Sequence, residues 1–392
     1  MYIAPETWNF IREHQHDDVH SLLLQLAKYP DVDMKAAVTQ ISGRQAIAAK
    51  IPSWYNNEKL IFPQHLPLEQ CSSEATAQYK AGLCSGNTFV DLTGGFGVDF
   101  AFMSTKFSQA IYIERQKELC EIAQNNFPQL GLHNVRVINE DGVNYLQTME
   151  KVDCIFIDPA RRDKHGKKTV RLSNCEPDVA QIEDLLLDKA DKVIIKLSPM
   201  LDISLAARDL KYTSAVHVLS VNNDCKELLF VLDKTTNPSI NLHCINITHG
   251  KPQEFIFTKE EEQNASTTFA NEVDKFLYEP NASILKAGAY KSIGVKYNLK
   301  KLHSNSHLYT GEECIEEFPG RIFRVEDYAS LKDKNLLRGI DKANISTRNF
   351  PLSVAELRKR FKLKEGGDVY LFATTLQNNA KILIRCTKFA SK

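Results

Sequence analysis

The residues most able to do chemistry lie in Val152-Asp-Cys-Ile-Phe-Ile-Asp-Pro-Ala-Arg-Arg162. A buried apolar run would deliver Asp158 to the end of a strand. Pro159 then stiffens the chain and removes one backbone donor. An Asp carboxylate beside a freed carbonyl can accept the N–H of an amino or imino group and aim that nitrogen's lone pair at an electrophile, which is catalysis by proximity. Arg161 can stack on a flat ring or bind a phosphate. The basic residues after it, among them Arg162, Lys164, Lys167 and Lys168, read either as a solvated loop or as phosphate contacts fixed to the reactive edge. Ser198 and Pro199, in Lys196-Leu-Ser-Pro-Met200, end a later apolar run and would line the same acceptor pocket.

The electrophile is suggested by a second stretch, Thr88-Phe-Val-Asp-Leu-Thr-Gly-Gly-Phe-Gly-Val-Asp99. An apolar run ends at Asp91, a turn follows with Thr93, Gly94, Gly95 and Gly97, and a helix opens at Val98-Asp99. Strand, glycine turn and helix in that order make a cofactor cradle in an open α/β sheet. A dinucleotide would want a third glycine where Phe100 stands, and an acid before the turn suits a cation better than a pyrophosphate. S-adenosylmethionine (SAM) carries a sulfonium and an ammonium and no phosphate. The turn resembles the first motif of class I SAM-dependent methyltransferases. Glu114, about twenty residues on, can accept both ribose hydroxyls. Asp141 can accept an adenine amino group beside Gly142, or can simply form an Asp-Gly turn. Gln70, Ser73 and Thr76 read two ways, as a helix start capped by serine or as contacts to the cofactor's amino-acid end. Amino-directed methyltransferases carry Asp-Pro-Pro-aromatic where this chain has Asp158-Pro-Ala-Arg161, so the ring that would stack on a base is absent. Covalent pyrimidine C5 chemistry needs a cysteine near position 198, which is Ser; the next cysteine is Cys225.

These residues need a scaffold. Apolar runs ending at Asp91, Glu114, about Ile138, Asp158 and Leu197 alternate with helical stretches, which predicts a parallel, doubly wound sheet. The runs 215–221 and 228–232 are joined by a link too short for a crossover, so they must form an antiparallel hairpin. Five parallel strands finished by a hairpin match the methyltransferase sheet and not the all-parallel dinucleotide one. Before this sheet, periodic segments opened by Pro5, Asp17-Asp18 and Asp33 predict a helical domain over 1–65, with the second helix running to about Tyr29. Beyond it lie two further α/β pieces, the last with a basic helix over Val354–Phe361.

Bulk properties narrow the class. The 392 residues suffice for two or three domains. The 49 basic and 49 acidic residues balance, so any polyanion must be met by local charge. No membrane-length apolar run and no signal peptide is expected. Nine cysteines without a C-x-x-C pair point to free thiols in a cytoplasmic protein and ask for no metal.

The chain resembles bacterial class I methyltransferases with a C-terminal THUMP-like domain. The resemblance is carried by Glu69-Gln-Cys-Ser-Ser-Glu-Ala-Thr76, residues 91–99, Asp158-Pro-Ala-Arg-Arg162, Tyr278-Glu-Pro-Asn281 with Lys286-Ala-Gly288, and Ile345-Ser-Thr-Arg-Asn-Phe-Pro351 with Glu365-Gly-Gly367. It implies a SAM-binding domain over 66–235, a connecting segment over 236–277, a small ferredoxin-like domain over 278–317 and a THUMP-like domain over 318–392. By analogy with true THUMP domains it implies RNA, tRNA or rRNA, as the partner. Arg348, Asn349 and Phe350 are then expected either as exposed recognition residues or as a structural loop. A SAM-binding protein that docks RNA without catalysis, or an enzyme acting on protein or small molecules, are the competing readings.

Overall fold

A computed structural model describes residues 3–161, 171–234, 239–333 and 335–389. The chain divides into two compact units, Met1–Ser214 with Leu228–Thr236, and Ala215–Glu227 with Asn237–Lys392.

The first unit is built on five parallel strands: β1 (Gly86–Asp91), β2 (Phe107–Glu114), β3 (Val135–Asn139), β4 (Val152–Ile157) and β5 (Ala190–Leu197). Their order is β3-β2-β1-β4-β5, so the sheet reverses direction beside β1. The interior strands are fully apolar where they cross the core; Phe89, Val90, Ile155 and Ile195 expose nothing. Next in the chain come β6 (Thr213–Val221) and β7 (Asp224–Leu232), and Leu228–Leu232 of β7 runs antiparallel to β5. Asn222 and Asn223, with φ of 50° and 65°, make the two-residue turn between β6 and β7. This is the expected hairpin finish.

Helices within residues 5–70 pack into this first unit too. Asp18 and Asp33 cap the helices Val19–Leu23 and Met34–Ile47 with side-chain bonds to Ser21 N and Ala36 N. The helix expected to reach Tyr29 stops at Leu23, and a short 3-10 turn over Leu26–Lys28 follows. Trp54 and Phe62 reach the glycine turn: the Phe96 ring lies 5.1 Å from Trp54, edge on, and 6.0 Å from Phe62.

The second unit pairs β6 in parallel with β8 (Asn241–Thr248), which is hairpinned to β9 (Lys251–Thr258). Its other sheet includes β10 (Phe276–Pro280), β11 (Tyr309–Gly311), β12 (Gly320–Ser330), β13 (Asn344–Arg348), β14 (Val369–Thr375) and β15 (Lys381–Lys388). Their order is β11-β10-β12-β15-β14-β13. One sheet thus runs through both C-terminal pieces. The helix Val354–Phe361 starts with a capping box between Ser353 and Glu356 and crosses from β13 to its parallel neighbour β14. No helix among the described residues is long and apolar enough to cross a membrane.

Candidate active site

The carboxyl ends of β1, β2, β4 and β5 bring most of the singled-out residues to one edge. Asp91 ends β1 and is fully enclosed; its Oδ1 accepts the Thr93 N–H at 2.9 Å. Thr93 Oγ1 in turn accepts the Asp158 N–H at 2.6 Å, tying the glycine turn to the end of β4. Burial drives the Asp91 carboxyl well above its ordinary range, opposed by the Thr93 N–H and reinforced by Asp99 and Asp158. A buried acid in that state is one that a cationic neighbour would ionise.

The turn demands its glycines. A Cβ on Gly94 would fall 2.1 Å from the ring of Tyr112, which has no exposed surface and nowhere to go. Gly95 and Gly97 turn the chain with φ of 56° and 85°. Phe100, where a dinucleotide fold wants glycine, fills the core between Phe89, Tyr112 and Phe127. Glu114, 7% exposed, accepts the Gly95 N–H on Oε2 and the Gln116 N–H on Oε1, so its carboxylate is fixed at the lip of the turn. Gly142 lies against the β1 exit, where a Cβ would come within 2.2 Å of the Leu92 carbonyl oxygen. Asp141, exposed, uses Oδ1 to cap the helix Gly142–Thr148 through Val143 N and Asn144 N.

Asp99 opens the helix Val98–Ser104 and is not turned to solvent. Its carboxylate meets Lys80 Nζ at 3.0 Å and Lys196 Nζ at 3.2 Å, and accepts the Ser72 hydroxyl at 2.7 Å. Burial alone would raise this carboxyl; the two lysines overcome that and bring it down to about 2. Lys196 also reaches Asp158 Oδ2 at 2.5 Å. Asp158 keeps 36% of its side chain exposed, whereas Asp99 keeps 9%. Burial raises the Asp158 carboxyl and Lys196 pulls it back. Pro159 behind it is buried.

Lys80, Lys196 and Ser72 were not legible as site residues. Lys80 sits in the helix Glu74–Ala81, whose sequence has no clear apolar face, and is wholly buried there. The one signal available was the i, i+8 spacing of Ser72 and Lys80 about a serine cap. Ser73 does cap that helix, accepting the Thr76 N–H, and Thr76 is buried with its hydroxyl on the Ser73 carbonyl. Gln70 is exposed at the end of the preceding helix, His65–Gln70. Ser198 accepts the Met200 N–H just past β5, with Pro199 partly exposed beside it. The backbone of Arg161 pairs with Cys175 in a two-residue ladder. Its side chain lies outside the described residues, as do Arg162, Lys164, Lys167 and Lys168.

Of the three residues 348–350, Arg348 is bound to the buried carboxylate of Glu279 and Phe350 packs against the apolar core of its unit. Asn349 alone is exposed, in left-handed backbone at φ 52°.

Comparison with known proteins agrees with this geometry. The family model for protein-L-isoaspartate(D-aspartate) O-methyltransferases matches residues 55–164. A ferredoxin-like domain model matches 276–319 and a THUMP domain-like model matches 320–388. A curated protein-L-isoaspartate O-methyltransferase of Thermotoga maritima is 26% identical over 142 residues, covering 34% of this chain. The match spans 45% of that relative's length. A crystal structure from Porphyromonas gingivalis W83, described as a candidate methyltransferase, is 34% identical, covers 100% of both chains and superposes with a TM-score of 0.89. The chain belongs to that family, the bacterial class I SAM-dependent methyltransferases with a C-terminal THUMP-like domain, whose cofactor is SAM.

Proposed function

We propose that this protein methylates RNA in the cytoplasm, at a base nitrogen of tRNA or rRNA, with Asp158 orienting the acceptor. The observation that carries this reading is the half-open carboxylate of Asp158 at the carboxyl edge of β4, across from the glycine turn. Bound SAM supplies an electrophilic methyl carbon; its transfer to an acceptor N–H yields the N-methyl product, S-adenosylhomocysteine and one proton. Asp91, Thr93, Gly94, Gly95, Gly97 and Asp99 would form the cradle, with Glu114 on the ribose and Asp141 and Gly142 on the adenine. Gln70, Ser73 and Thr76 would flank the amino-acid end. The cradle fits a cation: Asp91 is enclosed and raised, and a sulfonium or ammonium nearby favours its charged form. Asp158 would accept the acceptor's N–H and hold its lone pair in line with the methyl carbon. Pro159 would restrict the backbone that carries that carboxylate, and Ser198 and Pro199 would wall the acceptor.

RNA is favoured by the THUMP-like match and by the basic residues that follow Asp158 in sequence. The likeness to isoaspartate O-methyltransferases covers the cofactor half. A carboxylate acceptor would have to lie against the Asp158 carboxylate, a like-charge contact.

The test is tritium transfer from labelled SAM to total RNA and to total protein, followed by nucleoside mass spectrometry. Label in one modified nucleoside supports the reading; label in protein alone overturns it. Asp158→Ala should abolish transfer while RNA binding persists, which separates an enzyme from a non-catalytic RNA-docking protein. Arg161→Glu with Arg162→Glu should weaken RNA binding and flatten its salt dependence.

A further inference from the structure

Lys196 stands at the centre of the charge network and has a job that its motif does not announce. Its Nζ lies 2.5 Å from Asp158 Oδ2, 3.2 Å from Asp99 Oδ2 and 3.2 Å from Ser72 Oγ. An ammonium has three N–H groups and no lone pair. Three acceptors within reach of three donors suit Lys196 to holding its neighbours in place, and an ammonium without a lone pair cannot remove a proton. Ser72 is equally committed: its hydroxyl donates to Asp99 and accepts from Lys80 and Lys196. Lys80, 0% exposed, closes the far side on Asp99 Oδ1 at 3.0 Å. Two ammonium groups and two carboxylates balance, and five separate elements are tied together: the segment before the helix Glu74–Ala81, that helix, the start of Val98–Ser104 and the ends of β4 and β5.

Resting on the reading of Asp158 as the group that orients the acceptor, we propose that Lys196 is a positioning residue for methyl transfer. It pins Oδ2 of Asp158 to the rigid end of β5 and leaves Oδ1 to receive the acceptor's N–H. The ammonium also holds Asp158 in the anionic form, the form that can accept. The charged groups facing Asp158 are Lys196 on β5, Asp99 on the helix Val98–Ser104, Lys80 on the helix Glu74–Ala81 and Asp91 on β1. Of these, Lys196 is in contact and favours ionisation; Asp99 opposes it. Without Lys196 the Asp158 carboxyl rises further, and the carboxylate form is reached only at higher pH.

The experiment compares wild type with Lys196→Met, Lys196→Arg and the pair Lys196→Met with Asp99→Asn. The paired variant keeps the buried charges balanced, should the single one fail to fold. Turnover is followed against pH with tritiated SAM and bulk RNA from cells lacking this chain. Lys196→Met should lower kcat at neutral pH by about tenfold or more and move the acid limb up by roughly one pH unit, the size of a lost close ion pair. KM for SAM should stay within about threefold if Lys196 acts by positioning Asp158 and not by binding the cofactor. Lys196→Arg should restore most of the rate, since a guanidinium keeps both cation and donors. A second measurement needs no acceptor: the carboxyl carbon-13 resonance of Asp158, assigned with Asp158→Asn, titrated in the S-adenosylhomocysteine complex. Its midpoint should rise in Lys196→Met and in the paired variant, and fall back in Lys196→Arg. An unmoved midpoint overturns the proposal, as does a loss of rate that resides wholly in KM for SAM. If wild type methylates no RNA, the substrate reading falls and the carbon-13 titration still decides Lys196.

Discussion

Glu279 in the second unit and Asp158 in the first are both carboxylates held by cations, and they end up in opposite states. Glu279 lies on β10, 2% exposed, and both of its oxygens are taken by guanidinium groups. Arg321, its register partner on β12, binds Oε2 through Nε at 2.7 Å and through Nη2. Arg348 at the end of β13 binds Oε1 at 2.6 Å. The cluster is closed: a guanidinium on each oxygen, the carboxylate itself buried, and three strands cross-linked. Asp158 has one ammonium on one oxygen and over a third of its side chain open. The difference teaches how a fold marks a working carboxylate. Arginine pairs seal an acid into the structure, whereas a lysine placed on one side leaves a free edge of known orientation.

Four perturbations sharpen that contrast, and the largest concerns Asp158. Asp158→Ala should cut methyl transfer roughly a hundredfold or more, as expected when an acceptor loses its alignment. Thermal stability should fall too, by about 1–3 kcal/mol, since Lys196 loses its contact partner and the network is left with more cations than carboxylates. Rate and melting temperature measured on one preparation check this. The contrast breaks if the variant melts early with its kcat intact.

Glu279→Gln is the mirror experiment. The buried carboxylate would become a neutral amide between two arginines, at a cost of about 2 kcal/mol, the value of a charge-assisted bond, with the guanidinium groups part-solvated. Transfer per folded molecule should be unchanged. Urea unfolding followed beside a single-turnover assay gives both numbers.

Phe96→Leu probes a third kind of support. Phe96 is 5% exposed at the tip of the glycine turn, gripped by Trp54 from the helix Pro52–Tyr55 and by Phe62 from the segment after it. The variant should keep the fold, losing about 1 kcal/mol of edge-to-face contact. SAM affinity should weaken by about threefold to tenfold as the turn loosens, the same energy read as a binding constant. Calorimetric titration with S-adenosylhomocysteine measures it. An unchanged affinity would mean that the helices support the sheet and leave the turn alone.

The site was legible in the sequence where local rules decide it. The strand–turn–helix of 88–99, the caps at Ser73 and Asp33 and the basic helix Val354–Phe361 follow from glycine geometry, capping and periodicity, and the structure has each of them. The hairpin after β5 followed from link length alone. What escaped is what tertiary pairing decides. Lys80 and Lys196 look like surface lysines because a sequence does not show which lysine will find two carboxylates. Phe96, between two glycines, turns inward to Trp54, a partner 42 positions earlier that local rules do not reveal. The strand β13, Asn-Ile-Ser-Thr-Arg, is polar and lies at a sheet edge, so alternation gave no signal. Arg348 looked free for recognition because its partner, Glu279, lies 69 residues away.

The smallest effect returns to a carboxyl that neither cluster satisfies. Asp91 has a hydrogen bond from Thr93 and, among the described residues, no cation in contact; Lys196 favours its charge only weakly against burial, Asp99 and Asp158. In the free protein it is therefore held toward its protonated form. A sulfonium or ammonium at the cradle favours the carboxylate, so cofactor binding should expel a proton and affinity should rise with pH. The sign follows from linkage: the bound state binds fewer protons, so raising pH shifts the equilibrium toward it. The shift in Kd should be at most about tenfold per pH unit, and smaller wherever Asp91 is part-ionised. The ligand's own amino group titrates as well, which is why the comparison is with Asp91→Asn. Titrations in two buffers of different ionisation heat count the protons released. Wild type should release up to about one more proton per SAM than Asp91→Asn does. Equal release by both would mean that Asp91 is a sealed acid like Glu279, and that the open side of the site is confined to Asp158.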